Sequence, residues 1–357
     1  MFAFAAALAL AAAAPSRPPP AKPAPTPGAA ELPTVAATYL HDLSTANGLV
    51  ALTWPALAYD RAHSELFMVA EGFVRIFDAS GMEVHRFGDD GALGYIMRVA
   101  PLEDGELILI TSLNGVRTYL RCDFRGEPLG SLTLTGLPAE FANFEPDQLV
   151  YADSRLYFAE RGSMRVVVTD VTGGYRFSYK LRDLVAAKIA GDKVAGDSDR
   201  KPAVNMDAFN VDAAGNLLFT MSTMFAGGIV SPSGDLRLFG TRGSMPGKFN
   251  IIGGIDADEK GYVFVTDRLR SVVSVWDREL RYLGEFGYRG SADGNLWTPY
   301  EIVVGNGRVF VSQARNLGVR VFQVRIVEPK VPDEPPPLSA PPEPPPSRGP
   351  RRGESLG

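Results

Sequence analysis

A short apolar motif returns six times along the chain, and no other feature of the sequence restricts its fold as much. It reads Leu66–Ala70, Leu107–Ile110, Leu156–Ala159, Leu217–Thr220, Val263–Thr266 and Val309–Ser312, and its anchors Phe67, Ile108, Tyr157, Leu218, Phe264 and Phe310 are 41, 49, 61, 46 and 46 residues apart. Polar turns keep the same rhythm: Asp78–Gly81, Asp123–Gly126, Asp170–Gly173, Ser231–Gly234 and Asp277–Glu279 follow the anchors. Asp212–Gly215, Asp258–Gly261 and the shortened Asn306-Gly307 precede them. Asp or Ser caps such a turn through its side chain, and Gly supplies the left-handed residue. Each unit therefore reads strand, turn, strand, turn, strand, turn, strand over about 40–50 residues, the size of one blade of a β-propeller. The spacing predicts an all-β, six-bladed β-propeller over 34–327. Two packed sandwiches would not explain one period running through the whole middle.

The fifth unit, 249–287, is the best formed. Gly254, Ile255, Asp258, Gly261, Val263, Phe264, Val265, Asp267, Val273, Val275, Trp276 and Asp277 follow a pattern that resembles the NHL repeat. The sixth keeps Pro299, Ile302–Val304 and Val309–Val311, and the likeness extends loosely over 49–326. The resemblance implies a six-bladed ring and says little about activity, because these residues are mainly fold-determining.

The sixth unit supplies only three strands before the chain runs into proline. Tyr39–Leu43 lines up with Tyr282–Phe286, the outer strand of unit five, so the N-terminal segment is expected to complete the last blade. The stretch 179–202 breaks the β-pattern. Leu181, Leu184, Val185 and Ile189 fall on one helical face, with Gly191 as the expected C-terminal stop. A short helix packed over an edge is expected; a lid or partner-binding element is the sharper reading. Residues 1–14, MFAFAAALALAAAA, are too short to span a bilayer and fit a secretory signal peptide. Residues 15–33 read as a Pro/Ala-rich linker, and 328–357 as a disordered Pro-rich tail. Export to a periplasm or beyond is the expectation, with no transmembrane span once the signal is removed.

Composition removes many chemistries. A net charge of −5 argues against nucleic acid as partner. One cysteine, Cys122, excludes an internal disulfide and any multi-thiolate metal site, and a buried inert thiol is expected there. The three histidines, His41, His63 and His85, all precede residue 86 and none falls near a predicted channel. The resemblance extends to amidating lyases and streptogramin lyases, whose activity implies histidines around the channel.

Innermost strands of a propeller line its channel, and here they begin near Trp54, Tyr95, Glu145–Asp147, Asn205–Asp207, Asn250 and Pro299–Glu301. Glu145, Asp147, Asp207 and Glu301 are thus candidates for an acidic mouth, with Asp267, Glu71 and Glu160 at the ends of second strands. Glu301, Asp207 and Asp147 are the candidate metal ligands, since carboxylates suit a hard cation such as Ca²⁺. The alternative is that these acids cap turns or pair with Arg98, Arg161, Arg268, Arg270 and Arg315. Trp54, Trp297 and Tyr300 are candidates for an aromatic rim able to take a small molecule or glycan; packing between blades is the other reading. The expected function is a noncatalytic, exported protein-interaction scaffold of the bacterial cell envelope without a cofactor. A Ca²⁺-dependent lactonase or hydrolase with its site at the mouth is the alternative.

Overall fold

Alternating apolar and polar side chains bury one face of a strand after another, and the outcome is a ring of small sheets. The computed structural model describes residues 32–192 and 204–327. Among the described residues there are six four-stranded antiparallel sheets and one two-stranded ribbon, Ser44–Thr45 with Gly48–Leu49. From inner to outer strand, blade 1 is Ala56–Asp60, Glu65–Ala70, Phe73–Phe77 and Glu83–Phe87. Blade 2 is Tyr95–Pro101, Leu107–Leu113, Val116–Cys122 and Pro128–Ser131, and blade 3 is Gln148–Ala152, Arg155–Glu160, Arg165–Thr169 and Tyr175–Lys180. Blade 4 is Ala208–Val211, Leu217–Met221, Ala226–Val230 and Leu236–Phe239, and blade 5 is Ile252–Ala257, Val263–Asp267, Val272–Trp276 and Tyr282–Phe286. Blade 6 takes Ile302–Gly305, Arg308–Ser312 and Val319–Val327, and its outer strand is Thr34–Asp42 from the other end of the fold. Each innermost strand touches the next around the ring, so the protein is a six-bladed β-propeller.

The closing strand alternates as its sequence requires. Val35, Ala37 and Tyr39 pack onto the cluster between blades 5 and 6, while their neighbours face outward. Thr34 lies opposite Val327 and Asp42 opposite Arg320, whose guanidinium donates to both Asp42 oxygens at 2.7 and 2.9 Å. Further bonds lace blade 6 to blade 1. Trp54 Nε1 donates to the Thr298 carbonyl at 2.9 Å, Arg61 to the Val304 carbonyl at 2.9 Å, and Asn306 Nδ2 to Ser64 Oγ at 2.7 Å.

Turn chemistry repeats with the blades. Asp78, Asp123, Asp170, Asp212 and Asp258 each accept the amides two and four residues on. Asn306-Gly307 is a two-residue hairpin with both residues at positive φ, 52° and 73°. Among the described residues the apolar core is not one mass but six clusters, one at each blade junction. Every buried Val, Leu, Ile or Phe in them contributes about 1.5–3 kcal/mol.

The helix Leu181–Asp192 sits at the junction of blades 3 and 4. Leu181 and Val185 are fully buried there, with Leu184 and Ile189 packed against the same cluster. Gly191 is not its stop: the helix continues through it to Asp192. Glycine is a weak helix former but is tolerated inside a last turn. The rest of the insertion, the leader, the linker to residue 31 and the tail from 328 lie outside the described residues. Among the described residues no helix is long and apolar enough to cross a membrane.

Candidate functional site at the channel mouth

The mouth is built where the innermost strands begin, because there the chain of each blade approaches the axis. Arg98 leaves the first strand of blade 2 and crosses to two neighbours. Its Nε donates to Gln148 Oε1 of blade 3 at 3.1 Å, and Nη2 to Glu301 Oε1 of blade 6 at 3.3 Å. Both ends of that ion pair are largely buried, 18% and 20% exposed, so it is screened less than a surface pair. Arg161 pairs with Asp147 at 2.7 Å and donates to the Asp207 carbonyl of blade 4 at 3.3 Å. The Tyr300 hydroxyl donates to that same carbonyl at 3.3 Å. Burial, with the Glu301 carboxylate beside it, holds the Tyr300 hydroxyl above the ordinary phenol range and keeps it a neutral donor. Burial works against the charge on Arg161, but Asp147 outweighs it and keeps the guanidinium protonated.

An aromatic pincer stands beside this network. The Arg268 guanidinium lies 4.7 Å from the Trp54 ring and 5.1 Å from that of Tyr300, whose centroids are 5.9 Å apart. Trp54 remains 38% exposed. Trp297 is half-buried, with the Arg315 guanidinium 3.9 Å over its ring. Trp54 and Tyr300 therefore meet at the mouth, whereas Trp297 forms a separate cation–π stack.

The remaining acids hold backbone. Asp207 Oδ2 accepts the Ser222 amide at 2.5 Å. Asp267 is fully buried and accepts the amides of Asn250, Leu269 and Arg270 at 2.8–3.1 Å. Glu145 is exposed, and its carbonyl receives Arg117. Glu160 is bound to Arg165 at 2.6 Å, and Glu71 occupies a tight turn at φ 56°. Among the described residues no group of three or more His, Cys, Asp or Glu side chains is placed to hold a metal ion.

Below the Arg98 bridge the channel narrows to about 70 Å³, lined by all six innermost strands. That volume holds a few waters, whereas small-molecule sites need about 300–1,000 Å³. Asp256 of blade 5 and Arg61 of blade 1 lie at its far end, 3.8 Å apart. Asp256 accepts the Val304 amide at 2.6 Å and that of Ala257 at 2.8 Å. Complete burial pushes its carboxyl up to about 7, against the pull of Arg61. Sequence reasoning passed over Asp256; the available signal was a carboxylate inside an otherwise apolar inner strand, Ile252–Ala257.

The chain matches no protein-family model and no curated protein. Solved structures do resemble it. One is a structural-genomics protein of unknown function from Bacteroides thetaiotaomicron VPI-5482, with TM-score 0.55 and 12% identity over 82% of this chain and 76% of that one. The virginiamycin B lyase of Staphylococcus aureus gives TM-score 0.48 at 13% identity, covering 84% of this chain and 90% of the lyase. A proposed gluconolactonase gives 0.49 at 15% identity, covering 85% and 96%. The likeness is one of fold. It assigns no chemistry, and the mouth must be read from its own residues.

Proposed function

We propose that this protein is an exported, noncatalytic propeller of NHL type that serves as a protein-interaction scaffold in the bacterial cell envelope. The observation that supports this most is the pairing across the mouth. Glu301 is engaged by Arg98 and Asp147 by Arg161, while Asp207 and Asp267 hold backbone amides. A carboxylate bound to arginine is a poor hard-cation ligand and a poor general base, because the guanidinium stabilises its ionised, fully hydrogen-bonded form. The network instead ties blades 2, 3, 4 and 6 to one another across the channel, with Trp54 beside it as an exposed aromatic contact residue. The apolar leader and the Pro-rich segments on both sides of the ring suit an exported body presented on spacers.

The test is fractionation and cross-linking of the tagged full chain in the cell that makes it. The proposal expects the chain outside the cytoplasm, trapped in a discrete heteromeric adduct that weakens when Trp54 is changed to Ala. A cytoplasmic location, or an adduct-free chain at all cross-linker doses, would contradict it.

A further inference from the structure

A second cavity opens on the opposite side of the ring from the mouth, where blades 1 and 2 part. We propose that this groove binds a small organic cation, an ammonium group carried on an apolar body.

The site is built from one face of blade 1. Phe67, Ile76 and His85 are successive cross-strand partners on its second, third and fourth strands, so they share a face, and that face looks at Leu107 of blade 2. The space between them is about 640 Å³, within the range of small-molecule sites. Its outer wall is Phe124, 60% exposed.

The corresponding corner between blades 4 and 5 is shut, and the residues that shut it are missing here. Turn hydrogen bonds make Gly105 the counterpart of Gly261 and Phe124 the counterpart of Arg278. Arg278 folds over Gly261, where an added Cβ would meet its Cγ at 3.3 Å, and donates to the Lys260 carbonyl. Arg237 then crosses from blade 4 to the Arg278 carbonyl at 2.8 Å. Over Gly105 there is nothing within 4 Å. Strand register also places the buried Cys122 opposite Leu107 where Trp276 stands opposite Val263, so the layer behind Leu107 has a thiol in place of an indole.

The charges on the rim select the ligand. Asp60, Glu65 and Asp104 line the groove, against one cation, Arg125, whose guanidinium sits 5.0 Å over the Phe124 ring. His63 and His85 complete the titratable groups. Asp60 is spent on His63, whose Nδ1 lies 2.7 Å from Oδ2, and on the amides of Ala62 and His63. Asp104 caps its own turn, with Arg121 4.0 Å away, and His85 Nε2 meets the Arg125 carbonyl at 3.0 Å. Glu65 is half-buried beside Phe67, and among the described residues no hydrogen bond or ion pair reaches its carboxylate. Burial raises its pKa, with Asp60 adding to the effect and the neighbouring His63 opposing it. A half-buried, unpaired carboxylate above an apolar floor is complementary to an ammonium group on a hydrocarbon body.

The probes are 2-phenylethylammonium chloride and its neutral isostere 2-phenylethanol, titrated into the full chain by calorimetry near neutral pH. The ammonium compound is expected to bind saturably and at least about tenfold more tightly than the alcohol, a ratio that reports the carboxylate. Glu65→Gln should remove that ratio while the alcohol binds as before. Phe124→Arg, which copies the closed corner, should abolish both without lowering the melting temperature. Acid should weaken the ammonium compound alone, as Glu65 gains a proton and His63, its pKa raised by Asp60, gains a charge. No saturable binding of either probe, equal affinities for the two, or a ratio that survives Glu65→Gln would overturn the proposal.

Discussion

Two junctions of the ring, between blades 4 and 5 and between blades 1 and 2, use one backbone plan and reach opposite ends. In the first, Trp276 lies 5.0–5.7 Å from Phe239, Phe249 and Tyr282 and fills the space between sheets. In the second, Cys122 holds the same register position and an open groove remains. The comparison teaches that ring geometry is set by strands and turns, while each junction is free to be solid or hollow. Here the two junctions share strand register and turns and differ at Trp276 against Cys122 and at Arg278 against Phe124.

The largest test of that view removes the strand both junctions depend on indirectly. Deleting Thr34–Asp42 strips the outer edge of blade 6, the Asp42–Arg320 pair and the Val35, Ala37 and Tyr39 packing. The chain should lose its cooperative melting altogether, as read by circular dichroism. An unchanged melt would show that the ring does not need its closure.

Trp276→Ala should come next, at about 3–5 kcal/mol by denaturant titration, since it opens a cavity in the filled junction. A cost near 1 kcal/mol would mean that the filled and hollow junctions are equivalent, ending the comparison.

The third test is acid–base. The Asp256 carboxyl, normally near 3.8, sits at about 7 in the folded ring because burial disfavours its charge. The folded state therefore holds a proton that the unfolded chain releases between about pH 4 and pH 7, and stability falls as pH rises through that window. The loss should be on the order of 4 kcal/mol, and Asp256→Asn should flatten it. A wild-type slope retained in that variant would assign the effect to another group.

Cys122→Ala should be smallest, at roughly 1 kcal/mol, because it removes only one sulfur from a fully buried position. Burial pushes the thiol up to about 11, so a thiolate reagent at neutral pH should modify it only after unfolding.

Much of this was legible in the residues. The six anchors, the Asp-capped turns, the closing segment at Tyr39–Leu43 and the apolar stripe Leu181–Ile189 are local patterns of period two or 3.6, and the ring follows from them. The meeting of Arg98 with Glu301 was not legible, because it depends on two blades separated by 203 positions and on the width of the channel. Arginine and acid were each visible as candidates; which of them met was a matter of ring radius. The hollow corner was hidden for the same reason. Cys122 and Phe124 look ordinary in a strand and a turn, and only the neighbouring blade shows what they fail to fill.

The central claim about the mouth is that its carboxylates are already satisfied by arginine and backbone amides. Calorimetric titration of the full chain with Ca²⁺ tests it most directly. The account predicts no saturable heat at millimolar concentrations and the same melting temperature in Ca²⁺ and in EDTA. Stoichiometric binding that disappears in Glu301→Gln and Asp207→Asn would contradict it and restore the mouth as a metal-dependent hydrolytic site.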